Sequence, residues 1–407
     1  MKDFNPEQAM VEVRREFGEH GGVAPSVERS ATFSVLEPGT MPEIFQGIKT
    51  PVSGGCYLYS RHFNPTVNVL SRYLAAMEGT EMGVCAATGM GAITSTILQI
   101  CTMGSHMISS HTIYGGTHAF IEEILPEMGV KSTFVNPTDH KAVEAAIRPE
   151  TKLIYMETMG NPLLNICDIE TISKISRAHG LMFVVDNTFT PIMVSPAQLG
   201  ADVVVYSLTK FINGASDLMG GAILGEEKFI LQLMDLHRGR IMLLGPTMDS
   251  RVAYDIIQRL PHLPLRMREH SRRAQAIAEA LEEKGAPVTY PGLASHPEHA
   301  LLKKILNKGY GFGGLLTLDC TTREKADQVM SILQNKENFG VIAVSLGYFD
   351  TLMSCSGSST SSELTVEDQK AMGLSPGLLR ISIGLTGSLE KRIKQIINGL
   401  TSAGLIS

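Results

Sequence analysis

From about residue 66 onward, the chain alternates helical apolar patterns with short apolar runs. TVNVLSRYLAAMEG (66–79) carries apolar residues at helical spacing. EMGVCAAT (81–88) reads as a strand leading into a helix over GMGAITSTILQICTM (89–103). Further short apolar runs follow at SHMISS (105–110), VKSTFV (130–135), KLIYMET (152–158), LMFVVD (181–186) and DVVVYS (202–207). Helical segments HKAVEAAI (140–147) and IETISKISRAHG (169–180) separate the later members. Strands interleaved with helices of this size predict an α/β fold, a mostly parallel sheet covered by helices on both faces. In such sheets chemistry collects on the loops beyond the carboxyl ends of the strands. Glu157, Asp186 and Ser207 all stand at such ends.

Near residue 256 the pattern changes to a smaller α+β unit. RMREHSRRAQAIAEALEEKG (266–285) predicts an amphipathic helix, with Met267, Ala274, Ile277, Ala278 and Leu281 on one side. A strand over GFGGLLTLDC (311–320), a helix through REKADQVMSILQN, a strand over LLRISIGL (378–385) and a closing helix over SLEKRIKQIINGL (388–400) complete it. Residues 1–60 hold few periodic runs. GTMPEIFQGIKTPVSGG (39–55) reads as an extended arm, packed on a neighbouring subunit or lying flexibly on the surface. The division expected is an arm over 1–60, a large α/β domain over 61–255 and a smaller C-terminal domain over 256–407, with one long helix able to join the last two.

Charge and cysteine usage narrow the function class. Lys plus Arg (35) against Asp plus Glu (41) gives a formal charge of -6, which provides no pull toward nucleic acid or acidic lipid. No apolar segment reaches bilayer length, and the start MKDFNPEQAMVEVRREFGEHGG lacks the apolar run of a secretion signal, so a cytoplasmic location is expected. Cys56, Cys85, Cys101, Cys167, Cys320 and Cys355 form no CxxC pair and fit neither a zinc nor a disulfide spacing. His106, His111 and His118 lack a recognised ligand spacing and read as surface or second-layer residues; no metal is expected.

The most informative string is VVVYSLTKFINGASD (203–217). It places Lys210 just beyond a buried strand, beside Ser207 and Thr209. An amine among less polar groups favours its neutral form, against an ordinary pKa of about 10.4, and can form a Schiff base with an aldehyde. The two hydroxyls suit phosphate oxygens. On spacing alone, a surface lysine competes with this reading. ATGMG (87–91) opens a helix whose first N–H groups, at Gly89 and Met90, suit an anion. Its spacing is neither GxxxxGK[ST] nor GxGxxG, and a plain strand–helix turn is the alternative. Asp186, directly after FVV, could pair with a protonated pyridine nitrogen or cap the next turn.

Ordered anchors resolve these alternatives together. They are YSRHFNPT (59–66), TGMGAI (88–93), TIYGGTHA (112–119), ETMGNP (157–162), VVDNTF (184–189), SLTKFINGASD (207–217), AVSLG (343–347) and LLRISIGL (378–385). On these the sequence resembles the Cys/Met-metabolism family of pyridoxal-phosphate enzymes, the cystathionine γ-synthase-like group of fold type I, aminotransferase-like architecture. The resemblance runs over nearly the whole chain. It implies pyridoxal 5'-phosphate carried on Lys210, with Asp186 on the pyridine nitrogen and Tyr114 stacked on the ring. Gly89, Met90, Ser207 and Thr209 would hold the phosphate, joined by Tyr59 and Arg61 from a neighbouring subunit. Arg380 would clamp the substrate carboxylate, helped by Asn161 and Ser345. A homotetramer built from dimers with shared active sites is implied too. Taken singly, Arg61 reads as an interface ion-pair partner, Tyr59 and Tyr114 as core or interface aromatics, and Arg380 as an outward strand arginine.

Four segments resemble the methionine-cleaving branch in its plant-like form: 21–41, 234–250, 310–319 and SLGYFDTLMSCSGSSTSSEL (345–364). That implies γ-elimination of L-methionine to methanethiol, 2-oxobutanoate and ammonia, with Lys210 moving the Cα proton and Tyr114 protonating the leaving sulfur. Cystathionine γ-lyase, cystathionine γ-synthase and O-acetylhomoserine sulfhydrylase chemistries would use the same machinery. A silent binding protein on this fold is the alternative of another class, and it would be expected to lack Lys210 or Asp186. A nicotinamide dehydrogenase would need a glycine fingerprint that is missing. Three positions depart from the family pattern: Gly116, where bacterial members of this branch commonly carry cysteine; Asn213-Gly214-Ala215 after the lysine; and Thr360-Ser361-Ser362 near the substrate end.

Overall fold

The computed structural model describes residues 4–13, 17–49, 57–356, 369 and 373–407. Seven strands form the large sheet: β1 (Met82–Ala86), β2 (His106–Ser110), β3 (Lys131–Val135), β4 (Thr151–Glu157), β5 (Met182–Asp186), β6 (Val203–Ser207) and β7 (Gly221–Gly225). Their order is β1-β7-β6-β5-β4-β2-β3. Strands β6, β5, β4, β2 and β3 pair in parallel, and β7 runs antiparallel between β6 and β1. The mostly parallel α/β sheet expected from the pattern is present.

The sequence pattern did not reveal β7. Its five residues, GAILG, are all buried, so no polar alternation marks them. The central strands divide their side chains between two cores. Ile154, Met156, Val185 and Val204 join one buried cluster, while Leu153, Tyr155, Val184 and Val205 join the other. This alternation is what a sheet covered on both faces requires.

Two helices around the site show their local causes plainly. Helix α1 (Pro65–Glu78) starts where the Asn64 side chain accepts from the N–H groups of Thr66 and Val67, with Pro65 at its first position. It stops at Gly79, whose φ of 75° favours glycine. Helix α2 (Gly89–Ile100) starts at Thr88, whose hydroxyl accepts from Gly91 N–H. It ends three residues before the sequence expectation, because Cys101 is extended.

Residue 256 falls inside helix α3 (Ser250–Arg259), which a short turn links to the long helix α4 (Leu263–Glu283). The second sheet has order β10-β11-β12-β9-β8, from β8 (Val288–Thr289), β9 (Leu315–Asp319), β10 (Val341–Ile342), β11 (Leu352–Cys355) and β12 (Leu378–Ser382). Helices α4, Arg323–Asn335 and Leu389–Ser402 pack on it around a separate core that includes Leu281, Leu318, Leu333 and Ile381. Each fully buried Leu or Ile there contributes roughly 1.5–3 kcal/mol of transfer free energy.

Two expectations need amendment. Within 39–55 the described residues are not extended throughout, since Thr40–Phe45 is helical; residues 50–55 and Cys56 lie outside the described residues. Of the two readings for the histidines, the surface one does not hold for His106 and His118, which are buried: hydroxyls of Thr151 and Thr133 engage the His106 ring, and the His118 ring stacks on Phe134. Among the described residues no helix is long and apolar enough to cross a membrane.

Candidate active site

The carboxyl ends of β4, β5 and β6 open into a cavity of about 430 Å³, walled by the start of α2 and by Val344, Ser345 and Arg380 from the second half of the chain. Lys210 enters it from the turn after β6. That turn is closed by Asn213 N–H donating to Leu208 O (2.9 Å) and Gly214 N–H donating to Lys210 O (2.8 Å). The Lys210 amine donates to Ser345 Oγ at 2.9 Å. Burial, aided by the Arg380 charge, pushes its pKa down to about 8. A neutral, nucleophilic fraction therefore exists near pH 7.

Asp186 and Glu157 are paired in register across β5 and β4 and face the same cavity. Asp186 is 6% exposed; Oδ1 accepts from Thr188 N–H (2.9 Å) and Oδ2 from the Tyr155 hydroxyl (3.3 Å). Burial raises its pKa, and the Thr188 and Tyr155 hydrogen bonds oppose the rise. A cationic ring nitrogen beside it would stabilise the charged form further. Glu157 accepts from Tyr114 N–H at 2.7 Å and from Asn161 N–H at 3.0 Å, one on each oxygen. It too is raised, first by burial and then by the Asp186 charge.

Thr88, Gly89 and Met90 line the cavity, so the start of α2, with its unpaired first N–H groups and the positive end of its dipole, lies at the cavity wall. A Cβ on Gly89 would lie 2.8 Å from Ser207 Cβ and 2.9 Å from its Oγ, so glycine alone lets this hydroxyl close on the helix start. Thr209 lines the cavity as well, although its hydroxyl is shared with Gly220, accepting from the N–H at 3.1 Å. A buried amine, a buried carboxyl and a small-residue helix start fit the aldehyde, the pyridine nitrogen and the phosphate of pyridoxal phosphate.

Arg380 lies on β12 and is 3% exposed, so the outward, solvated orientation usual for a strand arginine does not hold here. Its guanidinium donates to Asn161 Oδ1 (2.9 Å), Ser345 O (3.1 Å) and Ser354 Oγ (3.5 Å). Burial lowers its pKa to about 10, so it stays cationic at neutral pH. Ser345 holds a φ of 118°, a strained region for a residue with a Cβ, worth of order 1–3 kcal/mol.

Tyr114, 42% exposed, leads the short helix Gly115–Ala119 at the cavity edge. A Cβ on Gly116 would stand 2.7 Å from Tyr114 Cε1, so the glycine at this departure from the family pattern makes room for the ring. Ten of the twelve expected site residues thus line one cavity; Tyr59 and Arg61 do not. Tyr59 is 45% exposed beside Thr32, and Arg61 donates to Met242 O at 2.9 Å. Thr360, Ser361 and Ser362 lie outside the described residues. Sequence reasoning had placed Glu157 at a strand end without a role, and it missed Tyr155. The alternation in YME, with Tyr155 two positions before Glu157 on the same face, was the available signal.

The geometry defines a pyridoxal-phosphate enzyme, and the family comparison agrees. The model for the Cys/Met metabolism PLP-dependent enzymes matches residues 7–400, and the chain belongs to that family. It is 51% identical to methionine gamma-lyase of Arabidopsis thaliana over 97% of this chain and 89% of that one. L-methionine gamma-lyase of Pseudomonas putida is 35% identical, covering 90% of each. Among solved structures, an O-acetylhomoserine (thiol)-lyase of Campylobacter jejuni, which contains a pyridoxyl-lysine monophosphate, superposes with a TM-score of 0.88 at 26% identity, covering 98% of this chain and 100% of that one. Cystathionine gamma synthase of Xanthomonas oryzae pv. oryzae gives a TM-score of 0.87 at 31% identity, covering 98% of each.

Proposed function

We propose that this protein catalyses γ-elimination of L-methionine, releasing methanethiol, 2-oxobutanoate and ammonia, as a pyridoxal-phosphate-dependent carbon–sulfur lyase. The observation that carries the reaction class is Ser345, whose hydroxyl meets the Lys210 amine while its carbonyl meets Arg380. One residue thus sets the proton-moving group beside the carboxylate clamp. Identity to the Arabidopsis methionine gamma-lyase over nearly the full chain supports the substrate.

When bound, pyridoxal phosphate supplies an electron sink that makes protons at Cα and then Cβ of the substrate removable. Lys210 Nζ is the base that takes the Cα proton, since its depressed pKa keeps a neutral fraction available. Asp186 holds a proton on the ring nitrogen by offering a buried carboxylate. Gly89, Met90, Ser207 and Thr209 bind the phosphate. Arg380, aimed by Asn161 and Ser345, grips the substrate carboxylate with two N–H donors. Tyr114 Oη delivers a proton to the departing sulfur. Glu157 positions both Tyr114 and Asn161 through their backbones.

Tyr59 and Arg61 are assigned to the phosphate of an adjoining subunit, in a homotetramer of dimers with shared sites. Neither residue lines the cavity of its own chain, which supports this. The chain then divides into an arm (1–60), a cofactor domain (61–255) and a substrate-side domain (256–407), and it works in the cytoplasm.

Cleavage of cystathionine is the second reading, supported by 37% identity to cystathionine gamma-lyase of Bacillus subtilis and by Gly116. The test is an absorbance scan of the purified protein, then separate challenges with methionine, cystathionine, cysteine and O-acetylhomoserine plus sulfide. Methanethiol and 2-oxobutanoate should dominate with methionine. Far faster cleavage of cystathionine would overturn the substrate while leaving the cofactor in place. Lys210→Ala should lose both turnover and the visible band, and a retained band would remove Lys210 from its role.

A further inference from the structure

Behind the cavity, on the opposite face of the large sheet, lies a buried polar network to which the reaction above gives no part. Glu157, Asp186 and Ser207 occupy three adjacent strand ends and face the cavity. Their chain neighbours Thr158, Asn187 and Tyr206 are buried and joined to one another. Asn187 Oδ1 accepts from the Thr158 hydroxyl at 2.8 Å, and Asn187 Nδ2 donates to Tyr206 Oη at 2.7 Å. The Tyr206 hydroxyl in turn donates to Glu78 Oε2 in a short contact. Glu78 Oε1 accepts from Ala197 N–H at 3.0 Å.

Glu78 is the last residue of α1 and is 1% exposed. Its partners are a phenol and a backbone amide rather than a cation. Burial pushes its carboxyl up to about 8 against the pull of both donors. Burying such a group costs free energy that an apolar side chain would not. Stability alone therefore gives a poor reason for a carboxyl in this place.

Hydrogen-bond direction supplies a better one. The Asn187 amide is fully engaged: besides Thr158 and Tyr206, it accepts from the Thr190 hydroxyl and donates to Val194 O at 2.9 Å. Tyr206 Oη already accepts a hydrogen bond from the Asn187 N–H, so its own O–H needs an acceptor beyond it. Glu78 is that acceptor. Apolar contacts tolerate small slides between strands, whereas a chain of directed hydrogen bonds fixes them, and a working site needs its groups within about 0.5 Å.

We propose that Glu78 is a positioning residue for the cofactor site, acting through Tyr206 and Asn187 to fix the strand ends that present Asp186 and Ser207. This rests on the pyridoxal-phosphate reading given above.

The experiment compares the holoenzyme with Tyr206→Phe, Glu78→Leu and the double variant. Each is measured for thermal midpoint, for pyridoxal-phosphate affinity after resolution and reconstitution, and for visible circular dichroism of the bound cofactor. The double variant removes a costly buried carboxyl together with the hydroxyl it served. Because Ala197 N–H and one Asn187 N–H lose these acceptors, its thermal midpoint should fall while the protein stays folded, and in that folded protein cofactor affinity drops about tenfold and the dichroic band weakens. Because the two residues act in one chain, the double variant should lose no more affinity than the worse single one. Wild-type affinity and dichroism in the double variant would overturn the proposal, as would additive losses. If the double variant does not fold, Tyr206→Phe alone decides by the same two readouts. A wild-type protein with no visible band would instead count against the cofactor reading itself.

Discussion

The amine of Lys210 donates to the hydroxyl of Ser345 at 2.9 Å, although 135 positions separate them in the chain. The carbonyl of the same serine accepts from Arg380. Amine and guanidinium are thus held by one residue with a constrained backbone, and the charge of the guanidinium helps keep the amine less basic than usual.

Reconstitution of the apo-protein should follow the titration of that amine. Its pKa is depressed to about 8, so the neutral, reactive form is scarce at pH 6 and dominant above pH 9. The rate of band formation with added pyridoxal phosphate should rise about tenfold per pH unit below this midpoint and level off above it. Arg380→Met removes a positive charge that disfavours protonation, so the midpoint should move to higher pH. Stopped-flow absorbance across pH 6–10 tests both statements, and a downward move would contradict the assigned cause.

Arg380→Lys should preserve the visible band yet raise KM for methionine by at least about tenfold. An ammonium is a point charge and cannot serve Asn161, Ser345 and a carboxylate with a planar fork. Steady-state kinetics on the reconstituted variant would show it; an unchanged KM would place the carboxylate elsewhere.

For Glu157→Gln, the amide offers only one accepting oxygen where two N–H groups, of Tyr114 and Asn161, need acceptors. One buried N–H loses its partner at a cost of about 1–3 kcal/mol. Both kcat and KM should worsen, giving at least about a tenfold fall in kcat/KM, with the cofactor still bound. Equal kinetics would make Glu157 a bystander.

Adding a methyl group at Gly116 should push the Tyr114 ring aside, because the new Cβ would meet Cε1 at 2.7 Å. Gly116→Ala is expected to lower turnover with methionine and to change the ratio of methionine to cystathionine cleavage. Competition assays with both substrates measure that ratio directly. A ratio equal to wild type would separate residue 116 from substrate choice.

Much of this site was legible because its strands are short apolar runs with polar residues at their ends. FVVD and VVVYSLTK place Asp186 and Lys210 beyond buried strands before any coordinates are known. Other parts were hidden for physical reasons. In LLRISIGL, alternation reveals two faces but not which one is inward, so Arg380 read singly as solvated. The β7 run GAILG carries neither alternation nor length, and Tyr155 looks like one more strand aromatic until its hydroxyl is seen on Asp186. The Glu78 network depends on a helix end meeting a short helical turn 119 positions away and a strand 128 positions away, a proximity that no local pattern encodes.

Ser345 ties the two halves of the site to one another. The hydroxyl that meets the Lys210 amine and the carbonyl that meets Arg380 belong to one late segment of the chain, so a displacement of that segment would disturb the reactive amine and the carboxylate clamp together rather than one at a time.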